Sequence, residues 1–456
     1  MEKQQKKILV LGAGASGLAA ARLALAQGAA CTLLDEKDTP QLQDVRRTLG
    51  AEGIDCQLGW TDERQPHAAD CIIISPGIRA NSVLGRLAQH SHVPVFSELA
   101  FAAAHCPWPL LAITGTNGKT TSVELLTHCL RLSGQAAIAA GNIGLPLSEV
   151  VRQAGNWDFV VLEVSSFQLE APAGLRPAVA AVLNVSPDHL DRHGDMQTYL
   201  GLKLQLLRQL PPEGWAVLNA KLLARPEVAE AVGERKCISF STQPDLQADF
   251  VLQDAALCRR RQDKLETLFA IEEMQLKGRH NCENALAVLA TMAAAGLNPH
   301  DAAAGLRSFT SGRNRLELVG TWNNVTYIND SKATNVDALC QALETCASPG
   351  KRSIILLAGG MDKGCSLHEA RPALAKYAKA ALLFGQCRQR LAESWQEAVP
   401  VTLCEDLETA VARADELAQA DDTVLFAPGC ASFDMFSDYV QRGQTFINIV
   451  NRRQRE

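Results

Sequence analysis

The chain has 456 residues, 47% of them hydrophobic and 21% charged, with a net charge of −6. Length alone suggests about three domains, and the mild acidity gives no support for general nucleic-acid or membrane-surface binding. Fourteen cysteines are scattered with no CxxC pair and no Cys/His cluster at zinc spacing, the pattern of free thiols in a reducing compartment.

The first apolar run is too short for a secretory h-region, and no apolar span is long enough for a bilayer. The expectation is a cytoplasmic protein with no membrane insertion. Residues 8–11 read as a strand, followed by Gly12-Ala13-Gly14-Ala15-Ser16-Gly17 and an Ala/Leu-rich helix to about residue 27. A second strand, 31–34, ends at Asp35. Such a loop seats a pyrophosphate on a helix N-terminus, and the acid takes a ribose hydroxyl or a base edge; a purely structural tight turn is the alternative. Residues 71–74 form another buried strand running into Ser75-Pro76-Gly77-Ile78. Open α/β sheets bind ligands at such strand ends, although a bland turn has the same signature. Strand 93–96 and a helix over 97–105 follow. Pro107-Trp108-Pro109 reads as a linker, closing a first domain at 1–107.

The rest of the chain is organised around LLAITGTNGKTT at 110–121. A buried strand, 110–113, breaks at Gly115-Thr116-Asn117-Gly118, and Lys119, Thr120 and Thr121 open a helix to about residue 132. This strand–loop–helix layout cradles a triphosphate, because glycine lets backbone amides approach phosphate oxygens without a Cβ in the way. Lys119 would neutralise the β- and γ-phosphates of ATP, and the Thr120 hydroxyl would meet Mg²⁺. The loop is a shortened variant: Ile113 stands where the usual pattern has its first glycine.

Strands at 136–140 and 158–164 follow, the first leading into Asn142, the second carrying Glu163 near its carboxyl end. An acid in a continuous apolar strand is costly unless it is paired or metal-bound. Beside a phosphate loop, Glu163 is a Mg²⁺ candidate; a satisfied buried carboxylate is the alternative. Strand 178–183 ends in a dense polar run containing Asp188, His189 and Asp191, which looks like an active-site edge. On the helix over 195–210, periodicity makes Lys203 a solvated residue. Residues 215–275 alternate short strands with polar turns and look peripheral. Asn281 and Asn284 open a long Ala/Leu helix, where they either face a base or phosphate or simply cap. The central domain is read as 108–311.

From 312 to 456 the α/β alternation returns, with strands at 316–319, 325–328, 353–358, 380–384 and 423–426. Three polar clusters fall at strand ends: Asn329 to Asn335, Gly359 to Lys363, and Pro428 to Phe433. They suggest one binding edge, with Lys332 and Lys363 suited to an anion. The expected fold class is therefore α/β in three domains: Rossmann-like, P-loop ATPase-like and Rossmann-like.

GTNGKTT at 115–121, EVSSFQLE at 163–170, NVSPDHLDRH at 184–193, GRHNCENALA at 278–287, GRNRLE at 312–317 and INDSKATN at 328–335 together resemble the Mur ligases of bacterial cell-wall synthesis. The SSFQLE and NDSKATN runs and ASFD at 431–434 look most like the D-glutamate-adding branch. The resemblance implies ATP at Lys119 and Thr120, two Mg²⁺ ions served by Glu163 and His189, and a carbamylated Lys203 holding the second ion. It places Asn281 and Asn284 on the adenine side, with Arg315 and Asp330 meeting ATP from the third domain. Thr334, Lys363, Ser432 and Tyr439 match the D-glutamate pocket, and Asn142 the muramoyl-peptide end. The UDP of UDP-N-acetylmuramoyl-L-alanine would lie by Asp35, Ser16 and Gly77. Position 36 is Glu where a familiar member has Thr, which touches the uracil contact.

The implied reaction phosphorylates a carboxylate with ATP and captures the acyl phosphate with the amine of D-glutamate, in a monomer acting in peptidoglycan precursor synthesis. Its rivals are a sibling that adds L-alanine, an NAD-dependent oxidoreductase built on the Gly12 loop, and a nucleotide-gated binding protein without chemistry.

Overall fold

A computed structural model describes residues 5–63, 69–171, 174–243, 247–262, 264–364 and 366–454. The chain is α/β and contains three sheets. Two of them lie in one compact unit, formed by residues 1–184, 200–273 and 283–307; the third lies in a second unit of residues 185–199, 274–282 and 308–456.

The first sheet is wholly parallel, in the order β3-β2-β1-β4-β5, from β1 (Lys7–Leu11), β2 (Ala30–Leu34), β3 (Asp55–Gln57), β4 (Cys71–Ile74) and β5 (Val95–Ser97). The order reverses at β1, so the β1 and β4 turns flank a crevice of the kind that binds nucleotides. Gly17 is required here by packing: a Cβ would stand 1.9 Å from the Gly12 carbonyl oxygen.

The second sheet has nine strands: β6 (Leu110–Thr114), β7 (Ala137–Gly141), β8 (Phe159–Glu163), β9 (Val179–Val182), β10 (Trp215–Asn219), β11 (Lys236–Ser241), β12 (Phe250–Gln253), β13 (Ala256–Arg261) and β14 (Lys264–Ala270). Their order is β14-β13-β12-β11-β10-β9-β6-β8-β7. All five residues of β6 are buried, as a parallel strand covered on both faces requires. The stretch read as peripheral instead extends this sheet: β10 and β11 continue it in parallel from β9, and β12 to β14 finish it as an antiparallel meander.

The third sheet joins β15 (Glu317–Trp322), β16 (Val325–Asn329), β17 (Ile354–Gly359), β18 (Ala378–Phe384), β19 (Val401–Leu403) and β20 (Thr423–Phe426) in the order β15-β16-β20-β17-β18-β19. Only β15 runs antiparallel. Its two faces are filled by separate apolar clusters, one around Leu356 and Trp395, the other around Phe384, Phe426 and Phe446. Among the described residues no helix is long and apolar enough to cross a membrane.

Candidate functional site

In the first unit the site is built on the turn that follows β6. Gly118 has φ +81°, and a Cβ there would stand 2.2 Å from the Asn284 Oδ1 atom, so only glycine fits. Its left-handed residue ends the loop and starts the helix Lys119–Leu132, aiming the free amides of that helix terminus at the loop. The Lys119 ammonium donates to the carbonyls of Gly115 at 2.9 Å and Thr116 at 2.7 Å. Thr116 and Thr121 are buried and Thr120 is half-buried.

Sequence reasoning missed what braces this loop. Asn184, just past β9, accepts from the amides of Thr116 at 3.1 Å and Asn117 at 2.9 Å and returns a bond to the Asn117 carbonyl. Lys203 is a correction to periodicity. It is 1% exposed rather than solvated, and its ammonium donates to the Gly115 carbonyl at 2.7 Å. A lysine at that depth is costly without such donors' acceptors, and nothing in helical spacing marks the phosphate loop as the surface it meets.

Glu163 ends β8, beside β6 in register, and is 2% exposed. Its Oε1 accepts from the Asn142 amide at 2.7 Å, while its Oε2 is buried without a hydrogen-bond partner. An orphaned carboxylate oxygen is an expensive feature that a hard cation would relieve. Gly141 precedes Asn142 with φ +100°, and a Cβ there would strike the Glu163 carbonyl at 2.4 Å; this close approach seats Asn142 on the acid. Among the described residues no trio of His, Cys, Asp and Glu forms a cage by itself. That donor set fits Mg²⁺, which takes one or two protein oxygens and completes its shell with phosphate and water.

On the first sheet the Gly12 loop and Asp35 meet. The Asp35 carboxylate accepts from the amides of Ala13 at 2.7 Å and Lys37 at 2.8 Å. Glu36 is engaged with the Leu84 amide at 2.8 Å. Ser16 lies in the first turn of the helix Ala15–Ala26, and Gly77 in the turn after β4, where Ile78 N–H donates to the Ser75 carbonyl at 3.1 Å. A mostly apolar pocket of about 300 Å³ runs from this turn past Ser97 and Glu98 to Phe167 and Gln168.

In the second unit the polar strand-end clusters do converge. Asp188 is the hub; the sequence placed it in a polar active-site edge without giving it a role of its own. Its carboxylate pairs with the Lys363 ammonium at 3.0 Å, accepts from the Asn335 amide at 3.1 Å and from the His189 N–H at 2.9 Å, and lies 3.7 Å from the His189 Nε2. Burial pushes the Asp188 carboxyl up, but Lys363 and His189 outweigh it and the net shift is downward. His189 adopts φ +55°, an uncommon backbone for histidine that costs about 1–3 kcal/mol and is kept where a side chain must point one way.

Asp330 follows β16, and its Oδ1 accepts from the Leu316 amide at 3.3 Å. Burial pushes its carboxyl up to about 7, against that bond and the charge of Arg315. The Lys332 ammonium sits 3.9 Å from the centre of the Tyr439 ring. Ser432 is 2% exposed. Thr334 lies between Lys332 and Asn335 in the same turn, and Asn281 donates to the Lys277 carbonyl at 2.8 Å in the first turn of the helix Arg279–Ala294. A second unforeseen residue, Arg442, is fully buried and ties the Ser331 carbonyl at 2.8 Å to the Cys430 carbonyl at 3.0 Å, locking the β16 turn to the β20 turn.

The chain matches three family models in succession: the N-terminal domain of MurD-like Mur ligases over residues 6–97, the Mur ligase middle domain over 113–292, and the Mur ligase glutamate ligase domain over 314–430. It is 36% identical over 453 residues to the UDP-N-acetylmuramoylalanine--D-glutamate ligase of Koribacter versatilis, covering 99% of this chain and 98% of that protein. The protein of the same name from Pelotomaculum thermopropionicum is also 36% identical, covering 98% and 97%. The fold is similar to that of a pseudomurein peptide ligase type C from Methanothermus fervidus, with a TM-score of 0.62 at 20% identity, covering 98% of this chain and 100% of that one. It is also similar to MurF ligase from Thermotoga maritima in complex with ADP, with a TM-score of 0.62 at 16% identity, covering 100% and 96%. With full-length relatives above 30% identity and three Mur ligase domain models matched in succession along it, the chain belongs to the Mur ligase family.

Proposed function

We propose that this chain is the ATP-dependent ligase that adds D-glutamate to UDP-N-acetylmuramoyl-L-alanine, releasing ADP and phosphate, in the cytoplasm and as a monomer. The observation that carries the reading is the 36% identity over essentially the whole chain to proteins bearing that name. The working division is residues 1–107 for the UDP substrate, 108–311 for ATP and 312–456 for the amino acid.

A carboxylate is a poor acyl donor because its oxide is a poor leaving group, so the L-alanine carboxylate must first be phosphorylated. Lys119 and the loop amides at 115–120 hold the β- and γ-phosphates and offset their repulsion with the incoming carboxylate. Mg²⁺, when bound, adds Lewis-acid stabilisation of the transferring phosphoryl group. Glu163 through the orphaned Oε2, the Thr120 hydroxyl and His189 would hold the ion, and Lys203 would add an oxygen donor once carbamylated. Asn142 keeps the Glu163 carboxylate turned. Asn281 and Asn284 take the adenine side, and Arg315 and Asp330 the ribose and phosphates. Ser16, Asp35 and Gly77 hold the UDP, and the apolar pocket beside Gly77 suits the body of the sugar-peptide. Lys332, Thr334, Lys363, Ser432 and Tyr439 receive D-glutamate, whose two carboxylates call for cations and hydroxyl donors.

A phosphate-release matrix tests this. Each of UDP-N-acetylmuramate and UDP-N-acetylmuramoyl-L-alanine is offered with L-alanine, L-glutamate or D-glutamate. Release confined to the L-alanyl precursor with D-glutamate is expected; release with L-alanine on the shorter precursor would reassign the chain to the sibling activity. Lys119→Ala should abolish release while calorimetry still detects the UDP precursor binding. Retained release would refute the role of Lys119.

A further inference from the structure

Two cysteines 43 positions apart in sequence meet at the carboxyl edge of the third sheet. Cys387 follows β18 and precedes the helix Arg388–Trp395; Cys430 lies in the turn after β20. Their sulfurs are 3.1 Å apart, and each residue is 3% exposed. At that distance either thiol can donate a hydrogen bond to the other. Hydrogen bonding from Cys430 holds the Cys387 thiol below its usual value, while the same bond drives Cys430 well up. The pair is thus asymmetric, Cys387 giving up its proton more readily than Cys430, which favours Cys387 as the attacking sulfur.

Three turns are fastened at this point. The Cys387 N–H donates to the Gly360 carbonyl at 2.9 Å, Ala431 and Met361 exchange backbone bonds of 3.0 and 2.8 Å, and the buried Arg442 grips the Cys430 carbonyl. The packing has no slack: a Cβ on Gly360 would meet the Ala431 carbonyl at 2.2 Å, and one on Gly385 would meet the Gly360 nitrogen at 2.8 Å.

We propose that Cys387 and Cys430 form a reversible redox-modification site for a small peroxide. The Cys387 thiolate attacks one oxygen of hydrogen peroxide and breaks the O–O bond, giving a sulfenic acid and releasing the other oxygen as water after protonation. The Cys430 sulfur then attacks the sulfenic sulfur, expelling a second water and forming the disulfide. Two electrons pass to the peroxide, and each thiol gives up its hydrogen. Burial of both sulfurs selects a small oxidant over a bulky disulfide. Closing to about 2.05 Å pulls the β18 turn onto the β20 turn and, through Gly360 and Ala431, displaces Met361 to Lys363 and Ser432. That edge is the one assigned to D-glutamate, so this consequence rests on the function proposed above.

The full chain, reduced and desalted, is exposed to hydrogen peroxide, alkylated and mapped by peptide mass spectrometry. The expected product joins the peptides of Cys387 and Cys430 and is lost on treatment with dithiothreitol. D-Glutamate-dependent phosphate release falls severalfold with it and returns on reduction, whereas Cys387→Ser keeps its release through the same peroxide treatment. If both cysteines are recovered alkylated, or joined to other partners, the site is refuted from the unmodified sequence without recourse to a variant. A joined pair with unchanged release refutes the coupling to the amino-acid edge. A reduced chain with no D-glutamate-dependent release would fail the functional reading instead, and the peptide map would still decide the disulfide.

Discussion

Glu163 shows how one residue can be read from sequence and then sharpened by structure. An acid inside an apolar run was conspicuous, and the structure leaves one of its oxygens buried without a partner. Glu163→Gln keeps the shape and the Asn142 contact while deleting the charge. Phosphate release should fall about 10²-fold or more, as for loss of one group stabilising transition-state charge, with thermal stability unchanged or higher because an uncompensated buried anion is gone. A variant with full activity would remove Glu163 from the metal site. Asp330 makes a pH-dependent prediction. Its carboxyl is raised from 3.8 to about 7 in the folded chain, so the folded state binds this proton more tightly than the unfolded one. Its contribution to stability is fully present below about pH 4 and is lost as pH rises to about 7, by up to about 1.4 kcal/mol per pH unit. Denaturant titrations of Asp330→Asn should show a flatter stability profile across that window than the parent; parallel profiles would contradict the shift. Asn184 and Arg442 escaped the sequence, and the depth of Lys203 and the partners of Asp188 with them, because each matters through a partner far along the chain, and periodicity carries no information about such partners.

At the scale of elements, the parallel strands β1, β4, β6, β8, β9, β17 and β20 were legible as short apolar runs closed by glycine or polar turns. The three-residue strands β3 and β19 were not. Asp55-Cys56-Gln57 and Val401-Thr402-Leu403 are too short to set a period, and their pairing is imposed by the neighbouring strand. The meander β12 to β14 reads as peripheral because its strands alternate with polar turns, yet alternation is what an antiparallel extension with one wet face requires. The phosphate loop depends on its backbone. Gly118→Ala forces a side chain into a left-handed position at φ +81° and against Asn284. It should destabilise the chain by about 1–3 kcal/mol and, in calorimetry, weaken ATP while leaving the UDP precursor unaffected. A neutral substitution would mean that the loop adopts another conformation.

For the molecule as a whole, the sequence conveyed the succession of three α/β sheets and the chemistry at their strand ends, because glycine loops and stranded acids are local signals. The topology that puts β6 between β8 and β9, with Asn184 beneath the loop, emerges only when the strands pair. The proposed function stands on one chemical step: the chain activates a carboxylate by phosphorylating it. If the L-alanine carboxylate oxygens of the UDP precursor are labelled with ¹⁸O, ligation through an acyl phosphate must leave one labelled oxygen in the released phosphate, since that oxygen departs with phosphorus when the amine attacks the carbonyl carbon. Mass analysis of the phosphate decides it: one label per phosphate is predicted, and amide product accompanied by unlabelled phosphate would contradict the mechanism.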